Sequence, residues 1–109
     1  MPTPGGSCFL ADDVEAWSEV GLGNFVVRTR RDDYYYSRVG GDCIDVDFAQ
    51  QIAIQPQRGI RQICEGTNAR ILTRDMDGRR ARQCYAFNFR KLTAAEVAGL
   101  PQAARERLR

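Results

Sequence analysis

Four cysteines, Cys8, Cys43, Cys64 and Cys84, are spread along a chain of 109 residues with 34, 20 and 19 residues between them. No pair has the two-to-four-residue spacing of a zinc knuckle, and no C-x-x-C is present to form a thioredoxin-type redox couple. A chain this short buries only about two-thirds of its unfolded surface, so its core is modest and covalent staples add much. An even number of dispersed cysteines in such a domain is the pattern of a structural disulfide framework made in an oxidising compartment. Four buried free thiols in a cytosolic protein are the alternative. Four cysteines allow three connectivities. A Cys43–Cys64 bridge would pin the least regular stretch of the chain at both ends, and Cys8–Cys84 would tie the start of the domain to its long C-terminal strand. These two bridges are the expectation. The opening Met-Pro-Thr-Pro-Gly-Gly-Ser has neither the charged n-region nor the apolar h-region of a signal peptide. A periplasmic or secreted protein is therefore expected to be present here as its mature form, without its leader.

Histidine is absent. That gap removes Ser-His-Asp and Cys-His catalysis, HExxH metal sites and histidine pH switching, each of which needs an imidazole. No metal and no cofactor is expected, and no enzymatic activity. No run approaches the roughly 20 continuous apolar residues of a membrane-spanning helix. Sixteen basic and 14 acidic residues leave a net charge of +2, without the excess expected of a dedicated nucleic-acid binder. Lys91 is the single lysine beside fifteen arginines, a bias that a GC-rich coding background explains better than selection for bidentate contacts does.

Residues 1–7 read as a flexible lead-in, 8–100 as a single disulfide-stapled β-rich domain and 101–109 as an Arg-rich helical tail, frayed at its end. Within Asp12–Val20, the spacing of Val14, Trp17 and Val20 behind two aspartates predicts a short helix or turn with Trp17 anchored in the core. Asn24–Arg30 is β-branched and aromatic, and Tyr34–Val39 follows closely enough to pair with it as a hairpin. Cys43–Gln57 reads as a loop with a turn at Asp47–Gln51 and a brief strand at Ile52–Ile54, ended by Pro56. Ile60–Cys64 can pair briefly. Ala69–Arg74 and Arg82–Lys91 flank Asp77-Gly78, a hairpin signal, with Tyr85, Phe87 and Phe89 alternating against Cys84, Ala86 and Asn88. Thr93-Ala-Ala-Glu96 has the form of a capping box, and Pro101 either ends that helix or starts another. The expected fold is all-β or β-rich: a small barrel or curled antiparallel sheet of five to six strands with short terminal helical segments.

Carboxylates cluster at Asp42, Asp45 and Asp47, but local turn and cap bonds account for them better than calcium or acid–base chemistry. Asp75-x-Asp77-Gly78 opens like an EF-hand loop, yet Arg79 and Arg80 follow where oxygen ligands are needed. Ser7, Ser18 and Ser37 have no histidine to activate them, and Lys91 has no serine at a telling spacing. The sharper pattern is Tyr34 and Tyr36 with Arg28, Arg30 and Arg38 on paired strands. Alternation puts Tyr34 and Tyr36 on one face and Tyr35 on the other. Aromatic and guanidinium groups so arranged suit a protein or glycan partner, since both are favoured at interface hot spots.

The succession Cys8-Phe9, Trp17, Phe25-Val-Val-Arg, a Tyr-rich strand, Gly41-Asp42-Cys43, Asp47-Phe48-Ala49, Ile52-Ala-Ile54, Ile63-Cys64-Glu-Gly66, Gln83-Cys84 and Lys91-Leu92-Thr93-Ala-Ala-Glu96 resembles a family of small proteobacterial proteins. That family is classified only as a domain of unknown function. The resemblance covers Cys8 to Leu100 and implies an exported, disulfide-bonded protein, without implying an activity. The expectation is thus a non-catalytic binding or structural module with an unidentified ligand. Its rivals are a single-stranded nucleic-acid binding barrel using the Tyr and Arg strands, which the charge balance disfavours, and a histidine-free enzyme or a small enzyme inhibitor.

Overall fold

In the computed structural model, residues 7–21, 23–41, 51–56, 62–74 and 81–109 are described. Strand β1, Cys8–Leu10, is followed by a 3-10 turn, Ala11–Asp13, and by strand β2, Val14–Glu19. Strands β3, Asn24–Thr29, and β4, Tyr34–Gly41, form the expected hairpin. Its turn closes through Asp32 amide to Thr29 carbonyl, 2.9 Å. Asp32 takes a left-handed φ of 63°, which aspartate tolerates in turns. Strands β5, Gln51–Pro56, β6, Gln62–Cys64, β7, Ala69–Arg74, and β8, Ala81–Lys91, come next, and two helices, α1, Ala94–Ala98, and α2, Gln102–Arg107, end the chain.

Six strands pair antiparallel in the order β2-β3-β4-β8-β7-β5, while β1 and β6 form a second, two-stranded sheet. The large sheet curls as a half-barrel, so the β-rich expectation holds. The β7 and β8 arms pair from Ala69–Ala86 to Arg74–Ala81 as their alternation predicts; the Asp77-Gly78 connection lies outside the described residues, as do Cys43 and the Asp47 turn. Phe25 and Val27 from β3, Tyr35 from β4, Ile71 from β7 and Phe89 from β8 fill the inside of the curl. Phe9 and Ile63 from the two-stranded sheet close over them. The Tyr35 hydroxyl donates to Cys8 carbonyl, 3.3 Å, and its pKa is raised above the ordinary phenol value by burial and then by the negative charge of Asp33.

Three expectations change. Asp12–Val20 is not a helix: it supplies β2 after the 3-10 turn, and Trp17 is half-buried at the core's margin. The pairing of β2 with β3 shifts between Val14 and Ala16, the mark of a bulge. With one extra residue there, Val14 and Trp17 face the same way although three residues apart, which is why the segment imitates helical spacing. Second, neither expected bridge forms, because Cys8 pairs with Cys64. The two cysteines stand opposite each other in the β1–β6 register, a proximity created by sheet pairing across 56 positions of sequence. Cys84 is also disulfide-bonded, to a partner outside the described residues. Third, the C-terminal segment is docked rather than frayed: Ala104 and Leu108 are buried, and Leu108 packs with Ala16, Val26 and Leu92 on the sheet's outer face.

The capping box forms as its sequence predicts. Glu96 amide donates to Thr93 Oγ1 at 3.1 Å, and Thr93 amide donates to Glu96 Oε1 at 3.0 Å. The Thr93 amide and then Arg90, 2.8 Å from Glu96 Oε2, hold the Glu96 carboxyl below its ordinary pKa. A group depressed in the folded state contributes stability that is present above its unfolded pKa and is lost as the pH falls through the folded one. Glu96→Gln is therefore expected to flatten the acid limb of stability against pH, and Thr93→Ala to cost about 0.5–2 kcal/mol at neutral pH. Urea titrations across the acid range check both; superimposable acid limbs for Glu96→Gln and wild type would refute the linkage.

Candidate functional site

The outer face of the half-barrel divides into a covered and an open part. Val26, Leu92 and Leu108 make the covered part a second small core, joined by Tyr34, Tyr36, Val97 and Leu100. Alternation along β3 and β4 does bring Arg28, Tyr34, Tyr36 and Arg38 to this one face, since Arg28 pairs with Tyr34, Val26 with Tyr36, and Asn24 with Arg38. Their environments differ. Arg28 is only 14% exposed and ion-pairs with Glu15 at 3.1 Å and Asp32 at 3.3 Å, while its Nε donates to the Leu108 carbonyl. It anchors the C-terminus. Arg30 lies just beyond β3 and reaches the same Glu15 at 3.9 Å. Tyr34 lines a cleft against α2, and Tyr36 donates its hydroxyl to Asn24 while Arg90 sits over its ring, 5.5 Å from the centroid. Of the expected set, Arg30 and Arg38 are exposed, and Arg38 is the one of the two that forms no ion pair among the described residues.

Next to Arg38 the structure presents residues that sequence reasoning did not single out. On β8, Tyr85 and Phe87 are each 43% exposed, with ring centroids 6.3 Å apart and planes inclined by 32°. Phe87 pairs with Arg38 across β4, and Tyr85 pairs with Gly40 on one side and Arg70 on the other. A Cβ on Gly40 would stand 3.2 Å from Phe87 Cε2, so the phenyl ring lies directly over bare backbone. The Tyr85 hydroxyl accepts from Gln83 Nε2 at 2.8 Å. Among the described residues, neither Arg38 nor Arg70 forms an ion pair.

Continuous with this face is a groove of about 440 Å³ lined by Tyr36, Arg38, Glu65, Gly66, Asn88 and Arg90. It opens where β8 is bulged: Tyr36 pairs with Arg90 but Arg38 with Phe87, one residue more on β8 than on β4. Asn88 carries a left-handed φ of 60°, a conformation asparagine accepts more readily than most residues. Asn68 Oδ1 accepts its amide at 2.9 Å, and Gly66 and Thr67 bond the Phe89 backbone at 2.8 and 3.1 Å. The bulge reverses the alternation, so Phe89 turns inward while Tyr85 and Phe87 stay outside. The one carboxylate among the described residues of the groove, Glu65, accepts the amides of Ser7 at 2.9 Å and Lys91 at 3.0 Å. It ties the N-terminal strand to β8.

Among the described residues, no cluster of three or more metal-ligating side chains occurs, and no helix is long and apolar enough to cross a membrane. Ser18 and Ser37 are buried within strands. The carboxylates Asp42, Asp45, Asp47, Asp75 and Asp77 lie outside the described residues.

A family model described as a family of unknown function (DUF6491) matches residues 5–107. No curated protein and no solved structure matches the chain.

Proposed function

Since the chain belongs to that family of unknown function, we propose from its own geometry that it is an exported, non-catalytic binding module of a proteobacterial periplasm, docking its partner on the open face of β4, β8 and β7. The observation that carries the reading is the pair of exposed rings, Tyr85 and Phe87, flanked on neighbouring strands by Arg70 and Arg38, which form no ion pair among the described residues. Exposed aromatic side chains gathered into one patch are costly to leave in water and mark an interaction surface. Tyr, Phe and Arg are also enriched at interface cores. Export is supported by the Cys8–Cys64 bridge and the bonded state of Cys84, since structural disulfides persist in oxidising compartments. A non-catalytic role is supported by the lack of histidine and by the burial of Ser18 and Ser37.

The test is site-specific photocrosslinking in the organism of origin, with a benzophenone amino acid replacing Phe87 or, as control, the exposed Ala98 of α1. A discrete adduct from position 87 that position 98 does not give is the expected result. Equal patterns at the two positions, or no adduct at 87, would remove the face from consideration.

A further inference from the structure

We infer that the partner of this face is a protein presenting an acidic surface, an inference that rests on the binding-face reading above. Charge complementarity carries it. The described side chains that β4, β8, β7 and β5 send to the open face include Arg38, Gln83, Tyr85, Phe87, Arg70 and Leu72, and no carboxylate. Of the described acids, Glu65, which lines the adjoining groove, is occupied by two backbone amides, and Glu96 is occupied by Arg90 and the Thr93 cap. Arg38 and Arg70 stand two strands apart and, being opposite Phe87 and Tyr85 in turn, two residues offset, about 12 Å at ordinary strand geometry, on either side of the aromatic pair. The surface is thus an apolar centre with a guanidinium at each flank, matching carboxylates set around an apolar contact. A second copy of this chain in a symmetric contact would set this face against itself, and its described side chains offer the arginines no carboxylate. Single-stranded nucleic acid fits less well: a backbone of repeating phosphates is tracked by a continuous basic groove, whereas the described residues of this face offer two guanidinia without an ion pair, in a chain of net charge +2.

The experiment titrates the isotope-labelled, disulfide-bonded protein with three probes: a random glutamate–tyrosine copolymer, an oligothymidylate of about 12 nucleotides, and polygalacturonate. Amide shifts confined to β4, β8 and β7 with the copolymer are expected, with affinity falling as salt rises. The double variant Arg38→Gln/Arg70→Gln is expected to bind the copolymer roughly tenfold more weakly or worse. Its urea midpoint is expected to match wild type, since both side chains are exposed. Unchanged affinity in that variant overturns the inference. Tighter binding of the oligonucleotide or the glycan at the same amides also overturns it, while leaving the binding face in place. If no probe moves those amides, the acidic-protein inference fails, and the crosslink at position 87 decides the broader reading separately.

Discussion

Phe89→Ala is expected to lower the free energy of unfolding by about 3–5 kcal/mol, the range for emptying a phenylalanine site in a packed core. Phe89 is 1% exposed. Its ring meets Phe9 edge-on at 5.5 Å between centroids, and Phe9 in turn lies 4.4 Å from Tyr35. The three rings join the two-stranded sheet to the half-barrel, so their loss opens a cavity at the junction and loosens β1 together with β8. The informative control is Phe87→Ala. It removes the same side chain two positions away on the same strand, but from a ring that is 43% exposed, and is expected to cost less than about 1 kcal/mol. Urea denaturation of the pair tests the bulge at Asn88 directly. Without it, alternation would give the two phenylalanines the same face and similar costs; equal midpoints would therefore refute the inward turn of Phe89.

The double substitution Cys8→Ala/Cys64→Ala is the second large effect, expected to cost about 4 kcal/mol from loop closure over a sequence separation of 56. A domain of this size has about 5–15 kcal/mol in total, so this bridge alone holds a large share. Replacing both cysteines leaves no unpaired thiol from this bridge to exchange with the one at Cys84. The loss should be local before it is global: Phe9 and Ile63, buried members of the paired strands β1 and β6, are expected to lose hydrogen-exchange protection ahead of β3 and β4. A denaturation curve within about 1 kcal/mol of wild type would show that the sheet pairing, not the covalent link, secures β1.

The candidate site was legible in part. Alternation in Tyr34-Tyr35-Tyr36 correctly separates the buried Tyr35 from its two neighbours, because a period of two is a property of any strand. It does not say what covers the other face. Tyr34 and Tyr36 are partly buried under the C-terminal helices, and Arg28 is occupied by Glu15, Asp32 and the Leu108 carbonyl. Those contacts join residues up to 80 positions apart. Tyr85 and Phe87 carried a signal, since they share a face with each other, but the same alternation assigned Phe89 to that face too. One left-handed asparagine separates them, and asparagine is common enough in ordinary loops that its presence in a strand does not announce a bulge.

Local chemistry fixes the β3–β4 hairpin, the paired arms β7 and β8, the Thr93–Glu96 cap and the β-rich class. β-branching, alternation and capping act over a few residues, and no distant contact was needed to decide them. The tertiary structure alone decided the partner of Cys8, the strand identity of Val14–Glu19, the docking of Leu108 and the inward turn of Phe89. Each depends on which strands become neighbours and where a bulge shifts their register. Those choices are made by burying the whole apolar set at once, inside the curl and beneath the helices, a global condition that no window of sequence contains.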